Sequence, residues 1–419
     1  MKKYTLVKVA SYIVAAKYLA PILFKALPSP LNLNMFWLLI WVLISFINYP
    51  SLFKNRVLIP LYIWAIYFII ILGIFSSNET YIDFYYQKYF ISWLASITIS
   101  MFYLIIAPKK DTMHFVKINL ILILFSCLSS TIGFQIFPES VRFNHMSAIS
   151  PYSIEEGIKR SDFFQSIGIQ PYGFFYGLAV IIPAIMYYLM NLRYMNGVKN
   201  AKVKISVAIT LIYISMISAN YATAFLLSVV GVSLTIYGYR RMMRSKILIF
   251  VLLGLVFFTP TNWQVNSVLS LSQIAEDNSM LQKRLVDFSQ SLSGDTETHV
   301  SARLDRIPIL IENFISSPIW GTGRQLSHNF LFDVLSAYGL IGFSLFFFVF
   351  YNIYNFNRKV FKKKYAFYYF LIFLLFAIYA PLKGIPGGIM YYFIFALSPL
   401  FIYSTQYSKL SHINGKNGL

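Results

Sequence analysis

The sequence predicts an all-α, polytopic integral membrane protein with about twelve transmembrane helices and two large extracytoplasmic loops. Of its 419 residues, 58% are apolar and only 12% are charged, whereas soluble domains carry about 25% charged residues. Apolar runs close to the roughly 20 residues that a membrane-crossing helix needs recur along the chain. The basic residues collect in every second connection between these runs, as the positive-inside rule describes.

Twelve apolar runs are the predicted spans, and with their connections they form one membrane domain, residues 1–419. The two runs between 203 and 238 must turn near Asn220 and Tyr221, because merging them would break the alternation of basic connections. Lys8 and Lys17 lie inside the first run, where snorkelling to an interface is favoured over lining a site. The runs cover residues 4–24, 31–47, 57–75, 88–106, 115–134, 171–190, 203–219, 221–238, 246–260, 328–351, 365–382 and 388–404.

The net charge of +20 is expected to set the topology. Nucleic-acid binding is not expected, because a basic groove needs clustered charge on a polar domain. If residue 1 is cytoplasmic, the termini and alternate connections hold 21 of the 35 basic residues and one acid, Asp111. Both termini are therefore predicted in the cytoplasm. The single cysteine, Cys127, lies in an apolar run, which favours a small buried hydrophobic residue.

Two long connections fall on the opposite side, which the topology makes periplasmic. They are residues 135–170 and 261–327. The second contains an amphipathic run, 281–292, in which apolar residues recur at helical spacing. This run is expected either to lie along the membrane surface or to pack on the bundle as a lid. Chemistry is expected in these loops.

Two arginines near the end of the second loop are the first part of a candidate site. Arg303 and Arg306 lie three residues apart, so on a helix they would occupy neighbouring positions of one face. Two guanidinium groups there would hold an anion with several oxygen atoms, and a phosphate group is the predicted guest. The alternative is a surface ion network of these arginines with Asp305, Glu312 and lipid headgroups.

A glycine turn and a histidine follow these arginines. Pro318, Gly321 and Gly323 predict a tight turn whose backbone can approach a ligand closely. Arg324 and His328 come next, and His328 begins a helix, at the end that attracts anions and holds imidazole toward neutrality. The alternative is that His328 only caps the helix. Three arginines and one histidine that converge where the loop enters the membrane favour a binding site over separate structural roles.

The order of these motifs resembles the bacterial O-antigen polymerase and O-antigen ligase superfamily. That family shows an arginine, a proline with a Gly-x-Gly turn, His-Asn, an apolar helix and a Gly-x-x-Gly end. Motif-level resemblance covers about residues 301–342, and the predicted spans and loops resemble the family over the whole chain. A Ser-Arg pair of many members is missing at 220–223. The matching residues are Arg303, Pro318, Gly321, Gly323, His328, Asn329, Gly339 and Gly342.

The resemblance implies an inverting glycosyltransferase in the bacterial cytoplasmic (inner) membrane, with its active site facing the periplasm or cell exterior. An undecaprenyl-pyrophosphate-linked oligosaccharide is the implied donor and acceptor, with no cofactor and no metal. The lipid bilayer is the other expected partner, a chain-length regulator protein is an optional one, and nucleic acid is not expected. The implied catalytic residues are His328, Arg303 and Arg160, and the predicted substrate-binding residues are Arg306, Arg324, Asn329, Asp333, Gly321 and Gly323.

The chemistry agrees with this assignment, because pyrophosphate leaves readily once fixed cations stabilise its growing charge. His328 is predicted first as a pyrophosphate ligand and second as the base for the attacking sugar hydroxyl. Asp333 lies in the same predicted span and is expected either to be functional or to pair with Arg324 or Arg306. The competing bases are Glu155, Glu156, Asp162 and Asp305.

Two other activities remain open beside the preferred polymerase. A ligase of the same superfamily would deliver the glycan to lipid A core. A lipid-oligosaccharide flippase would share the span number and basic charge, but it should show charged residues deep in several spans. The five histidines form no metal-binding spacing with one another or with Cys127.

Overall fold

The computed structural model describes most of the predicted membrane runs and parts of the loops. Within the described ranges every regular element is a helix, and no strand occurs there. The predicted amphipathic run 281–292 lies largely outside the described residues, and so does the predicted span 246–260. The described residues are 2–24, 27–75, 85–137, 140, 160, 163–192, 200–219, 221–240, 306–323, 330–382, 388–406 and isolated positions between 266 and 289.

Twelve helices are numbered here in chain order among the described residues. Helix α4 continues as a π-helix over Phe102–Ile106, and α12 continues through a π-helix over Tyr392–Leu397 to Gln406. The helices are α1 Lys2–Leu19, α2 Asn34–Asn48, α3 Ile59–Phe75, α4 Tyr85–Met101, α5 Lys109–Ile136, α6 Tyr172–Asn191, α7 Ala201–Ser218, α8 Ala222–Arg240, α9 Arg306–Ser316, α10 Phe330–Val360, α11 Lys363–Leu382 and α12 Gly388–Tyr391.

Six of the described helices are long and apolar enough to cross a membrane, namely α5, α6, α7, α10, α11 and α12. Shorter apolar helical segments lie at Asn34–Asn48, Arg56–Ile71, Phe90–Ile106 and Thr223–Gly238. The prediction of an all-helical membrane protein is therefore confirmed. Among the described residues, helices occupy eleven of the twelve predicted runs, although not all of them qualify as spans by length and composition.

Two helix boundaries can be compared with the sequence predictions. The predicted break near Asn220 and Tyr221 is confirmed, because α7 ends at Ser218 and α8 begins at Ala222. The first run ends earlier than predicted, since α1 stops at Leu19 and a short 3-10 helix begins at Pro21. Proline lacks the backbone N–H that a continuing helix requires, and it disfavours helical geometry in the preceding residue.

Helix α6 forms the centre of the bundle. Its residues from Gly173 to Leu189 are all buried, and it contacts α7, α8, α11 and α12. A side chain at Gly177 would collide with Phe393 of α12, and one at Gly231 of α8 would collide with Ile182. Small residues at such points allow helices to approach closely, which is how membrane helices gain packing contacts.

The ends of the helices contact each other in two groups. In the first group, the ammonium group of Lys8 lies 2.7 Å from the Asp111 carboxylate, so the starts of α1 and α5 lie together. In the second group, the hydroxyl group of Tyr18 is hydrogen-bonded to Ser92 at 2.9 Å, and Ser92 donates to the Gly388 carbonyl oxygen. Helices α4 and α12 therefore run antiparallel to α1. We call the first group the basic end and the second the loop end.

Candidate functional site

Helix α10 is broken at Gly339, which has a φ of 61° and a ψ of −168°. In an unbroken helix, the N–H groups of Leu340 and Ile341 would donate to the carbonyls of Ser336 and Ala337. Instead, Leu340 donates to Pro318 at 2.8 Å and Ile341 donates to Ile319 at 3.3 Å. The break thus releases two carbonyl groups of α10.

The glycine turn that precedes α10 supplies the missing donors. The N–H of Thr322 donates to the Ser336 carbonyl at 2.9 Å, and the N–H of Gly323 donates to the Ala337 carbonyl at 3.0 Å. Buried backbone groups need hydrogen-bond partners, above all where water is excluded. The turn and the broken helix therefore complete each other's hydrogen bonds, and residues 318–323 with 336–341 form one unit, which we call the glycine junction.

Glycine is required at two positions of this junction. Gly321 has a φ of 83°, and an added Cβ would collide with the Ala337 carbonyl group. A Cβ on Gly339 would collide with the Ile319 carbonyl group. The predicted tight turn is confirmed, but the backbone that it approaches belongs to α10. The N–H groups of Gly321 and Gly323 donate to protein carbonyls. The predicted substrate-binding role of these two glycines stays a prediction.

Tyr67 of α3 holds both halves of the junction together. Its hydroxyl group donates to the carbonyl oxygens of Trp320, at 3.0 Å, and Tyr338, at 2.7 Å. The rings of Tyr67 and Trp320 are stacked with their centroids 6.4 Å apart. Sequence reasoning missed Tyr67, because nothing local distinguishes it from the many other tyrosines in the apolar runs.

Asp333 lies in α10 close to the junction and is fully buried. A carboxylate without exposed surface needs a cation or hydrogen-bond donors around it. Burial therefore gives weight to the expected pairing with a cation, although both predicted partners, Arg324 and the side chain of Arg306, lie outside the described residues. The predicted substrate-binding role of Asp333 stays a prediction.

Several predicted site residues lie outside the described part of the chain. Arg306 is described only as the first residue of α9, and that helix packs against α10. The convergence of the arginines and the histidine stays a prediction for this reason. The undescribed residues are Arg303, Arg324, His328, Asn329 and the competing bases Glu155, Glu156, Asp162 and Asp305.

Arg160, the predicted catalytic residue of the first loop, is partly buried. It lies just before the segment that returns the loop to α6. This segment is fastened to α5, because Ser129 donates to the Gly168 carbonyl at 2.8 Å and the N–H of Gln170 donates to the Ser130 hydroxyl at 2.9 Å. The predicted catalytic role of Arg160 stays a prediction.

Gln170 joins three helices at the loop end. Its side-chain amide donates to the Leu19 carbonyl at 2.8 Å and to the Ser126 hydroxyl at 3.2 Å. The Ser126 hydroxyl also donates to the Leu19 carbonyl. Leu19 ends α1, so its carbonyl has no partner within the helix and accepts from these side chains instead. Gln170 thereby fixes α1 and α5 to the start of α6.

A cavity of about 380 Å³ opens at the loop end, lined by parts of α1, α2, α4, α12 and the start of α6 with the segment before it. Lys17 lines it and is only 7% exposed, with its ammonium group 5.2 Å from the ring centroid of Phe24. The prediction that Lys17 snorkels to an interface is therefore wrong. The reason is the turn at Pro21, which brings the Phe24 ring over the ammonium group and provides a cation–π contact.

Sequence reasoning missed this cavity because its lining comes from five separate parts of the chain. The one local signal was a lysine within an apolar run, which is functional by default inside a membrane protein. Lys8, the other lysine of this run, is paired with Asp111 at the basic end. No cluster of three metal-binding side chains occurs within the described ranges.

The fold and these contacts define a polytopic α-helical membrane protein with a broken helix and, at the loop end, a cavity. Neither family models nor curated proteins gave a match to the sequence.

Proposed function

We propose that this protein is a membrane glycosyltransferase that polymerises undecaprenyl-pyrophosphate-linked oligosaccharide repeats, as an O-antigen or related surface polysaccharide polymerase. The observation that carries the proposal is the glycine junction. Pro318, Gly321 and Gly323, which match the superfamily pattern in sequence, lie in the turn whose backbone contacts α10 from Ala337 to Leu340, around the matching Gly339. Four of the eight matching residues thus belong to one structural unit, which supports the proposal.

The junction also limits where the predicted cations can act. Arg324 is bonded to Gly323, and His328 and Asn329 directly precede Phe330, the first residue of α10. In the proposal, all three act near this end of the helix. The buried carboxylate of Asp333 adds negative charge that would orient nearby guanidinium groups. In the proposal, Arg303, Arg306 and Arg324 bind the pyrophosphate, and Arg160 approaches from the first loop.

The proposed reaction is one displacement at the anomeric carbon of the growing chain. A hydroxyl group of the new carrier-bound repeat attacks that carbon, the bond to pyrophosphate breaks, and a glycosidic bond forms with inversion. The hydroxyl proton passes to His328 or to a competing carboxylate. The electron pair leaves with undecaprenyl pyrophosphate, whose charge the arginines stabilise.

The proposed topology has twelve spans in the cytoplasmic (inner) membrane, with both termini in the cytoplasm and the site facing the periplasm or cell exterior. Contacts within the two groups of helix ends support the alternation of helix directions. The positive-inside rule then assigns the basic end to the cytoplasm.

Incubation of the purified protein with a synthetic pyrophosphate-linked repeat tests the proposed activity. A ladder of longer glycans and free carrier should appear together. Arg303→Ala and His328→Ala should each slow elongation by about a hundredfold, because each removes transition-state stabilisation. Arg358→Ala, which removes an exposed arginine at the basic end, is the matched control.

Two outcomes would overturn the polymerase. One is a normal ladder from both site variants. The other is transfer to lipid A core without elongation, which would indicate a ligase.

A further inference from the structure

The cavity at the loop end has a lining suited to a charged saccharide. Lys17 supplies a cation, Asn34 and Gln165 supply amide groups, and Tyr18 and Ser92 supply hydroxyl groups. The other lining residues are glycines, apolar side chains and Gln170. Its volume falls in the range of small-molecule pockets, about 300 to 1,000 Å³.

We propose that this cavity binds a sugar unit that carries an anionic oxygen group, either the carboxylate of an acidic sugar or a phosphate on its anomeric oxygen. Amides and hydroxyls both donate and accept hydrogen bonds, as sugar hydroxyls require. The ammonium group of Lys17 attracts the anion, and the low polarity around it strengthens that attraction. The side chains of Met35, Leu38 and Ile389 offer apolar surface to the C–H faces of a sugar ring.

The cavity is separate from the glycine junction. Ser92 of α4 faces the cavity and is hydrogen-bonded to Tyr18, whereas the next residue, Trp93, packs on Phe346 of α10 with ring centroids 5.3 Å apart. Helix α4 thus lies between the cavity and α10. The assignment of the sugar to a lipid-linked repeat rests on the proposed function. The binding of an anionic sugar by the cavity does not depend on that function.

The cavity wall leaves little room at Gly388. A Cβ there would lie 3.0 Å from the Ser92 hydroxyl oxygen and 3.2 Å from the Tyr18 hydroxyl oxygen. A larger side chain would displace these hydroxyl groups or narrow the space, while the charge of Lys17 stays unchanged. Gly388→Val therefore tests cavity shape independently of charge.

Thiol labelling gives a direct test of binding, because the one native cysteine, Cys127, is fully buried. Met35→Cys places a reactive thiol in the cavity wall of the full-length protein in lipid vesicles. Its rate of modification by a maleimide is measured with galacturonate, galactose 1-phosphate or neutral galactose. At least one anionic sugar should slow labelling, and galactose should have little effect. Protection by galacturonate would indicate a sugar carboxylate as the bound anion, and protection by galactose 1-phosphate would indicate a phosphate on the anomeric oxygen.

Two further variants in the Met35→Cys background decide the role of Lys17. Lys17→Gln should weaken protection by about tenfold in ligand concentration, the loss expected for one charge-assisted hydrogen bond. Lys8→Gln removes a lysine from the same helix at the basic end and should leave protection unchanged. If Lys17→Gln is not recovered in folded form, Gly388→Val decides instead, and it should reduce protection by whichever anion protects the parent Met35→Cys protein.

The proposal is overturned if neither anion protects, if galactose protects equally, or if protection persists in Lys17→Gln or in Gly388→Val. A failure here together with a normal glycan ladder would remove the cavity assignment and leave the proposed polymerase intact.

Discussion

The backbone N–H of Gly323 donates a 3.0 Å hydrogen bond to the carbonyl oxygen of Ala337. This bond replaces one that α10 would make internally if Gly339 were helical. A membrane helix rarely gives up backbone hydrogen bonds, because lipid offers no substitute donors. The loop before α10 therefore has to be in place for the broken helix to be stable.

The first prediction concerns this dependence on glycine. Gly339→Ala should lower the free energy of unfolding by about 1 to 3 kcal/mol, because alanine is strained at a positive φ and its Cβ meets the Ile319 carbonyl. Unfolding of the detergent-purified protein measures this change. Ser316→Ala, at an exposed position near the same junction, is the control and should change stability little. Equal stability of Gly339→Ala and the control would contradict the prediction.

The second prediction concerns Tyr67. Tyr67→Phe removes the hydroxyl that donates to Trp320 and Tyr338 and should destabilise the protein by about 1 to 3 kcal/mol, since buried carbonyls lose a donor. The comparison is Tyr351→Phe, which alters a tyrosine exposed on the surface of α10. Thermal unfolding of the two variants side by side checks the difference. An effect of the same size at both positions would argue against the bridging role.

The third prediction concerns Lys8 and Asp111. Their side chains are 26% and 23% exposed, so the pair should contribute about 0.2 to 1 kcal/mol. Lys8→Asp alone should destabilise the protein, and the swapped variant that also carries Asp111→Lys should recover much of the loss. A double-mutant cycle measures this coupling. A coupling energy of zero would show that this ion pair does not stabilise the contact between α1 and α5, which the hydrogen bond from Tyr4 to Asp111 also joins.

The fourth prediction concerns the orientation of the bundle. The N–H of Lys362 donates to the Gln406 side chain at 3.1 Å, so α10 ends at the basic end and begins toward the loop end. Lys359 is exposed near the end of α10 and Trp320 is exposed beside its first half, so Trp320→Cys and Lys359→Cys report on opposite faces. In intact cells whose outer membrane is permeable to it, a maleimide that cannot cross the inner membrane should label the first and spare the second. Buried Cys127 adds no background. The reverse pattern would place the proposed site in the cytoplasm.

The fifth prediction concerns Asp333 and depends on the proposed function. Asp333→Asn should reduce elongation by about tenfold or more, because it removes a buried charge that would orient the predicted arginines. Asp111→Asn removes a carboxylate at the basic end and should leave elongation close to normal. Wild-type elongation by Asp333→Asn would show that its carboxylate plays no part in the reaction.

Most helix positions could be predicted from the sequence, because length and apolarity decide which segments enter a membrane. The break between α7 and α8 was also predictable, since charge alternation required it. The early end of α1 was overlooked, although Pro21 carries a local signal for it. For the predicted site, the glycines of the turn were identified correctly, but their docking on Ala337 and Ile319 was not.

The sequence by itself determined that the chain is a helical membrane protein, where most helices lie and where its backbone has to turn. These properties follow from local composition, periodicity and charge. Tertiary structure alone decided that the glycine turn completes the broken α10, that Tyr67 bridges the two, and that Lys17 lines a cavity. Each of these depends on contacts between segments far apart in the chain, which only the packing of the helices brings together.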